Sequence, residues 1–444
     1  MNLGETTRAA ETRGATRPRF SAVFSWALWD WGTQPLNTVI ITFVFSVYIT
    51  GSSFGEENAT SQALALTTAL SGLVVALLAP VLGQNSDRTG RTVRNLRWQT
   101  WLIAALAAAL FFVRPTPDYL WFGLILLAVA GVVGEIANVN YYALIERVST
   151  PANVGRVSGF GWGLGYLGGI VALLGLYFCF IKPETGLFGV TGDNGMDIRV
   201  SMLLCGVWIL VFTIPTFLSL KDGARSAAPR IGVLASYRML WQSLVRLWRR
   251  SPSTVHFLLA SALFRDGLAG VFAFGAVLAA GSFGFSAGEV VIFGAAANVV
   301  AGVSTMLFGL IDDRIGPKRV ILISLGALWL LGLGIFLLHD HGQIVFWTLG
   351  LGMTVFVGPA QSASRSFLAR AIPRGQAGEI FGLYATTGRA VSFLSPTLFG
   401  LAIGLGAWVT GTTNTQYWGI LGIGVILLAG FIVMLLVKDP DTGD

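Results

Sequence analysis

Six ionisable side chains interrupt long apolar segments of this sequence: Asp30, Glu135, Arg265, Asp266, Arg365 and Arg389. An ionisable residue inside a membrane span costs at least about 2.5–3.5 kcal/mol on insertion scales, so it needs a partner, water or a function. Glu135, Asn138 and Tyr142 are spaced by three and four positions and therefore share one face of a helix. Gln361 and Arg365 repeat the spacing of Asn138 and Tyr142 later in the chain.

These residue types allow two interpretations. In the first, they face a wet cavity in which Arg265 or Arg365 binds a carboxylate or phosphate and Asp30, Glu135 or Asp266 takes up a proton. In the second, they form fixed ion pairs, for example Asp30 with Arg265. Arg365 lies close enough to one predicted span end to reach water. Arg389 is close enough in sequence to Glu379 to pair with it as part of a gate.

The segments that hold these charges are predicted to cross a membrane. The chain has 444 residues, of which 54% are hydrophobic and only 11% charged, whereas a soluble domain has about 25% charged residues. A span needs roughly 20 apolar residues. Twelve segments meet this requirement: 22–49, 61–83, 96–114, 118–144, 156–181, 198–220, 255–282, 287–310, 319–338, 343–367, 378–404 and 415–437.

The positive charges indicate the orientation. If both termini are cytoplasmic, 23 of the 29 lysines and arginines lie in cytoplasmic segments and three lie within spans. Only Arg114, Lys182 and Arg199 lie in the opposite loops. This bias favours cytoplasmic N- and C-termini. It also places the net charge of +7 at a membrane surface, so we expect no nucleic-acid partner.

The distribution of spans predicts two halves. The predicted segments are an N-terminal tail 1–21, a six-helix bundle 22–220, a central loop 221–254, a second six-helix bundle 255–437 and a C-terminal tail 438–444. In 237–250, Leu240, Leu244, Leu247 and Trp248 have helical spacing and arginines flank them. This pattern predicts a helix on the anionic cytoplasmic leaflet; a site for a partner protein is the alternative.

An internal repeat supports the two halves. The pattern G-x-x-x-D-R-x-G, followed by basic residues, occurs at 83–90 after the second span and at 309–316 after the eighth. A second set of positions also corresponds between the halves. It pairs Asn138, Tyr142, Pro151, Gly159 and Gly165 with Gln361, Arg365, Pro373, Gly382 and Gly388. A duplicated six-helix unit in parallel orientation is typical of one large class of transporters.

The paired loops, the two halves and the central loop resemble the major facilitator superfamily. Two windows, 26–45 (WALWDWGTQPLNTVIITFVF) and 358–396, resemble its vacuole-effluxer branch. The resemblance implies an all-α membrane protein with twelve helices in two pseudo-symmetric bundles. It also implies a central cavity lined by spans one, four, seven and ten, near Asp30 and Asn37.

For the two repeated loops, the resemblance implies gate latches that hold the cytoplasmic side closed. The residues concerned are Asp87, Arg88 and Arg91 in the first loop, and Asp313 and Arg314 in the second. A carboxylate at this position can also hold the N-terminus of a helix. Capping of the loop without gating is therefore the alternative interpretation.

Enzyme signatures are weak in this chain. Gly163–Gly168 matches G-x-G-x-x-G but lies in a membrane helix, where a seam of closely packed glycines is the better interpretation. Gly51–Gly55 matches G-x-S-x-G at the end of a span instead of at a strand-to-helix turn. The three histidines are scattered, and the two cysteines lie in apolar segments. We therefore expect no enzyme activity, no metal and no cofactor other than a coupled proton.

The predicted function is secondary active transport of a small polar solute by rocker-switch alternating access. Amino acids are the first candidates, and export is the expected direction. A channel, or a sensor or scaffold that has lost transport, is the alternative. We expect a monomer in the plasma membrane of a bacterium, or in the vacuolar membrane if the source is eukaryotic.

Overall fold

A computed structural model describes residues 20–223, 233–250, 252–372, 376–412 and 415–439. The predicted tails 1–21 and 438–444 lie largely outside these residues. Twelve long helices follow the apolar segments: α1 Phe20–Ile49, α2 Glu57–Thr89, α3 Thr92–Ala109, α4 Pro117–Val148, α5 Val154–Ile181, α6 Asp193–Ser219, α7 Pro252–Gly281, α8 Ala287–Ile315, α9 Pro317–Leu337, α10 Gln343–Ala371, α11 Ala377–Thr410 and α12 Gln416–Leu435. We call Val233–Arg250, between α6 and α7, the linker helix.

Eleven helices in the described part of the chain are long and apolar enough to cross a membrane. The exception is α3, which begins before the predicted span and includes Arg94 and Arg97 in its first turns. It is nevertheless part of the bundle, because it packs between α4 and α6. Its apolar second half continues through a 3₁₀ turn to Phe112.

The helices pack as two groups of six. In the N-terminal half, α1 packs on α5 and α6, and α2 packs on α4; in the C-terminal half, α7 and α9 pack on α12, and α8 and α9 pack on α10. The halves meet where α5 contacts α8 and α10, and where α2 contacts α11. We use "basic face" for the end of the bundle with the loops at Gly90 and Gly316, the linker helix and Lys438.

The glycines of α5 allow two neighbours to approach closely, as the glycine seam predicts. On one side, a Cβ added to Gly161 would lie 2.7 Å from the Trp26 ring of α1. On the other side, a Cβ added to Gly159 would lie 2.6 Å from the carbonyl oxygen of Thr305 in α8. Small residues at helix contacts in membranes act in this way.

Helices α1 and α11 are each interrupted along their length. Pro35 lies inside α1 and is followed by the π-helical segment Leu36–Phe43; such local departures from α geometry often occur at functional sites. The second interruption separates Ala377–Ala390 from Leu394–Thr410 within α11. Asp266 of α7 accepts a hydrogen bond of 2.7 Å from the backbone of Ser395, and so satisfies a donor at the start of the second part.

The linker helix packs against α2 and α7. The Tyr237 hydroxyl donates to the Leu77 carbonyl, and Arg88 contacts the sulfur of Met239. Leu240, which we expected to face lipid, is instead buried against the bundle, whereas Trp241 and Trp248 are exposed. The side chains of Leu244, Arg246 and Arg250 lie outside the described residues.

Candidate functional site

A buried ion pair connects the two halves. Arg365 of α10 lies with its Nη1 3.5 Å from Oδ2 of Asp30 in α1. The same carboxylate oxygen accepts a hydrogen bond of 2.9 Å from the Tyr141 hydroxyl of α4. Arg365 also donates from Nε to the Ser158 hydroxyl at 2.9 Å, and from Nη2 to the Ser158 carbonyl at 2.6 Å. The guanidinium therefore binds α1 and α5 of the opposite half.

Aromatic rings enclose this guanidinium. Its central carbon lies 5.0 Å from the ring of Trp26, 5.1 Å from Trp162, 5.2 Å from Tyr142 and 5.6 Å from Tyr141. Only 1% of the Arg365 side chain is exposed. Cation–π contacts are stronger when the cation is removed from water. The rings and a single carboxylate thus compensate a charge that would otherwise be unstable in the membrane interior.

The sequence W-A-L-W-D at 26–30 builds the α1 side of this site. Trp26, Trp29 and Asp30 are three and four positions apart, so they lie on the same helix face. Tyr141 stacks on both indoles, with ring centroids 4.5 Å from Trp26 and 4.4 Å from Trp29. Trp29 donates a hydrogen bond to Thr100 of α3, which holds its ring in place. The aromatic packing fixes Asp30 opposite Arg365.

A second ion pair between the halves borders a polar cavity. Arg389 of α11 donates a hydrogen bond to Glu135 of α4, and each side chain is about one-third exposed, at 34% and 30%. The pair opens into a cavity of about 270 Å³ enclosed by α1, α2 and α4. We call it the polar cavity. Its hydrophilic lining consists of Thr33, Asn37, Thr67, Thr68, Ser71, Asn138, Glu135 and Arg389.

Three contacts that the sequence allowed do not occur in this structure. Asp30 pairs with Arg365 instead of Arg265, and Arg389 pairs with Glu135 instead of Glu379. Arg365 is buried and does not reach water, because α5 covers it with Ser158. All three differences have one physical cause. Sequence spacing places a side chain along its own helix, but not relative to the helix that packs on it.

The remaining candidates on α7 and α10 lie elsewhere. Arg265 stacks over the ring of Tyr384, 3.8 Å from its centroid, and donates a hydrogen bond of 2.9 Å to its carbonyl. Asp266 is buried against α11. Gln361 is half-buried on α10. None of the three is among the described residues that line the polar cavity.

The two repeated loops hold the basic face together by equivalent contacts. Asp87, at the end of α2, accepts a hydrogen bond of 2.9 Å from the backbone of Glu379 at the start of α11. Asp313, at the end of α8, accepts from the backbones of Gly155 and Arg156 at the start of α5, at 2.8 and 3.2 Å. Each carboxylate thus caps a helix N-terminus in the opposite half. The same hydrogen bonds therefore cap the helices and connect the two halves.

We call the contacts of Asp87 the first latch and those of Asp313 the second latch. The second latch contains a further ion pair that the sequence motif did not reveal. Arg370 of α10 binds Asp312 at 2.7 Å and Asp313 at 3.3 Å, and donates at 3.1 Å to the Pro151 carbonyl of the other half. The motif predicts only Asp313, since Asp312 occupies one of its variable positions. Of the basic motif residues, Arg88 contacts the linker helix, Arg91 is half-buried beside α3, and Arg314 is exposed.

Tyr141 and Ser158 are also central residues that sequence reasoning missed. Tyr141 is next to Tyr142 in sequence, and adjacent helix positions point in different directions. The three-and-four spacing that made Tyr142 a candidate therefore did not include Tyr141. Ser158 is one small residue among the glycines of α5. No metal-binding group of three or more His, Cys, Asp or Glu side chains occurs in the part of the chain that the structure describes.

The profile of a known family, described as "Vacuole effluxer Atg22 like", matches residues 146–441. This match covers well over half of the chain. The chain belongs to the vacuole-effluxer family. The profile of the Major Facilitator Superfamily matches residues 6–173, so the two matches together extend over both halves.

Relatives of this vacuole effluxer-like chain come from bacteria and fungi. It is 24% identical over 428 residues to an uncharacterized MFS-type transporter, YxiO, of Bacillus subtilis (strain 168), with 95% of each chain covered. It is 26% identical over 310 residues to Autophagy-related protein 22 of Yarrowia lipolytica, covering 63% of this chain and 51% of the relative. The match thus spans about half the length of the fungal relative.

Solved structures share the fold. The proton:xylose symporter XylE matches with a TM-score of 0.73 at 12% identity, covering 95% of this chain and 96% of XylE. A bacterial homologue of the iron transporter ferroportin in an outward-facing state matches with a TM-score of 0.68 at 17% identity, covering 94% and 98%. The predicted major facilitator fold is therefore confirmed. Members of this superfamily are transporters and not enzymes, so the enzyme signatures are coincidental.

Proposed function

We propose that this vacuole effluxer-like protein is a secondary active transporter that moves a small polar solute by alternating access of its two halves. The observation that carries the proposal is that both charge pairs, Asp30–Arg365 and Glu135–Arg389, join one half to the other. A rocking motion of the halves about a midplane site must separate or rearrange such pairs. A solute or proton that replaces one partner can therefore drive that motion.

Amino acids are the first candidate substrates because the polar cavity presents both charges of a zwitterion. Glu135 can bind an ammonium group and Arg389 a carboxylate, and Asn37 and Asn138 lie beside them. The cavity volume of about 270 Å³ is slightly below the range of about 300–1,000 Å³ that is usual for ligand pockets. This size favours a small solute.

Proton coupling is proposed at Asp30. Its carboxylate is the acid that faces Arg365, and the side chain is 14% exposed. Binding of a proton would remove the negative charge that holds the guanidinium and so weaken the link between α1 and α10. The Tyr141 hydroxyl could remain bound to the protonated group, since a carboxylic acid still accepts hydrogen bonds.

For direction and location, we propose export away from the basic face across the plasma membrane of a bacterium, with both termini cytoplasmic. A vacuolar membrane is the corresponding location if the source is eukaryotic. The protein acts as a monomer without a bound cofactor. Trp241 and Trp248 of the linker helix lie at anionic lipid headgroups, a location suited to indole rings, with Arg238 and Arg249 exposed beside them.

Solute flux in proteoliposomes tests the proposal. Purified protein is reconstituted with a panel of amino acids, sugars and organic phosphates inside the vesicles, and release is measured with and without a pH gradient. Saturable release of an amino acid that responds to the gradient is expected. Rapid, non-saturating flux would indicate a channel. No flux of any solute, in a correctly folded sample, would indicate a sensor or scaffold.

Asp30→Asn tests the coupling site because it removes the charge with little change of shape. The variant is expected to lose pH-dependent release while it keeps solute binding, with Tyr141→Phe as the control that retains the carboxylate. Unchanged pH-dependent release by Asp30→Asn would exclude Asp30 as the coupling residue.

A further inference from the structure

A second cavity lies within the C-terminal half. It has a volume of about 680 Å³ and is enclosed by α7, α8, α9, α10 and α12, with α1 at one side. We call it the apolar cavity. Its lining includes Phe272, Phe293, Trp329, Met353 and Leu428. The described lining residues include no charged side chain. The polar transport site described above does not use it.

The polar side chains of this cavity are few, and three of them donate a hydrogen bond within their own helix. Thr42, Asn298 and Thr354 each donate a hydrogen bond to a carbonyl of their own helix, with lengths of 2.7, 2.8 and 2.7 Å. The rest of the lining is aliphatic or aromatic apart from glycines and the Trp329 indole. Water is unfavourable in an apolar cavity, and a polar solute would lose hydrogen bonds there. The lining therefore suits a hydrocarbon.

Two glycines contribute to this volume but do not allow a close contact between helices. A Cβ added to Gly275 of α7 or to Gly294 of α8 would meet no heavy atom within 4 Å. Gly267, on the same helix as Gly275, is different, because its added Cβ would lie 2.7 Å from Leu427. Larger side chains at 275 and 294 would fit the helices, yet would reduce the cavity.

The lining of the cavity includes residues next to the polar cavity and an exposed residue of α12. Thr42 and Phe43 line it at the end of the π-helical segment of α1, and Asn37 and Ile41 of the same segment line the polar cavity. At the other side, Val425 of α12 lines the cavity and is 56% exposed. A hydrocarbon chain can thus enter from the bilayer, or lie beside a charged group held in the polar cavity.

We propose that the apolar cavity is a binding site for a single hydrocarbon chain. Its volume of about 680 Å³ falls well inside the range of about 300–1,000 Å³ for ligand pockets. The chain belongs either to a bilayer lipid or to an amphiphilic solute whose polar end occupies the polar cavity. Both sources present the same chemistry to the lining residues.

Photolabelling of the full-length protein in nanodiscs tests this site with two probes. One is a phosphatidylglycerol with a diazirine on its acyl chain, and the other is a twelve-carbon carboxylate with a diazirine on its alkyl chain. Labelled residues are mapped by peptide mass spectrometry. Labelling at Phe293 and Met353 is expected, and the probe that labels them identifies the source: the lipid probe a bilayer lipid, the carboxylate probe an amphiphilic solute.

Cavity-filling variants provide the decisive comparison. Gly294→Leu and, independently, Gly275→Leu are expected to reduce this labelling about tenfold, which corresponds to about 1.4 kcal/mol of binding free energy. The matched control is Gly404→Leu, at an α11 glycine whose added Cβ also meets nothing within 4 Å but which does not line the cavity. Equal labelling in all correctly folded variants, or labelling confined to exposed positions such as Leu330, would overturn the proposal. Because labelling requires no transport, the result is independent of the transport proposal.

Discussion

At the scale of single residues, Arg365 shows how a membrane protein retains a cation in its interior. Three of its nitrogen atoms bind Asp30 or Ser158, and four aromatic rings surround it. Removal of one partner from a buried charge pair costs more than the pair contributes, because the other partner is left without compensation. The arginine and its surroundings thus act as a unit.

Arg365→Ala is expected to reduce the free energy of unfolding by about 3–5 kcal/mol, the usual cost of breaking a buried pair from one side. Arg365→Lys should lie between Ala and the native residue, since an ammonium retains the charge but not the planar donors that reach Ser158. Thermal unfolding in detergent measures both variants. A melting temperature of Arg365→Ala equal to that of the native protein would contradict this account.

The Glu135–Arg389 pair allows structural and transport roles to be separated. Because both side chains are about one-third exposed, the pair should contribute only about 0–1 kcal/mol to stability. Glu135→Gln and Arg389→Gln are therefore expected to melt near the native temperature while solute release falls strongly. The double variant Glu135→Arg with Arg389→Glu restores an ion pair but reverses its polarity. Native release by this variant would exclude a role for the polarity in substrate binding.

At the scale of helices, glycines determine how closely the halves meet at the basic face. A Cβ on Gly382 would lie 2.6 Å from Cα of Pro80, and a Cβ on Gly159 would lie 2.6 Å from the Thr305 carbonyl oxygen. Both obstacles are backbone atoms, which cannot rotate aside as a side chain does. These equivalent positions of the repeat allow α11 to pack on α2, and α5 to pack on α8.

Gly382→Leu and Gly159→Leu are therefore expected to favour the arrangement in which the basic face is open. A single cysteine at Asn37, which lines the polar cavity, should react more slowly with a membrane-impermeant maleimide added on the opposite side. Cys179 and Cys205 are replaced beforehand. Gly404→Leu serves as the control because its side chain has space. Identical labelling rates in all three variants would show that these contacts do not limit opening.

At the scale of the whole molecule, the two latches connect the halves at the basic face, and we expect their contacts to break when that face opens. Asp87 and Asp313 each bind the N-terminus of a helix in the other half. The second latch is larger, because Arg370 connects Asp312 and Asp313 to Pro151. The second latch should therefore contribute more to the stability of the closed state than the first latch does.

Asp313→Asn is expected to shift the population of the whole protein toward the open basic face more than Asp87→Asn does. An amide retains one acceptor but loses the charge that favours a helix N-terminus and binds Arg370. Double electron–electron resonance between spin labels on the two halves, placed at exposed positions of the basic face, measures the populations. Equal distance distributions for native protein and both variants would show that the carboxylates cap helices without gating.

Much of this architecture is determined locally and can be predicted from the sequence alone. Lipid contact requires apolar segments of sufficient length, so composition and spacing reveal the spans. Helix α3 differs because its first turns contain the polar residues Arg94, Asn95, Arg97 and Gln99. Duplication of the six-helix unit leaves the same motif at equivalent positions of the two halves. This repeat indicated the two halves and the positions of Asp87 and Asp313. The charges within spans were also visible, since any charge there is unusual.

Only the tertiary structure decided which of these charges meet. Arg365 was a candidate from the sequence, but its contacts with Asp30 and Ser158 depend on how α10 packs against α1 and α5. The same holds for Arg389 with Glu135. Helical periodicity assigns residues to a face of one helix, whereas a pair between helices depends on their relative rotation and translation. Those quantities arise from packing of the whole bundle and are not encoded in any single segment.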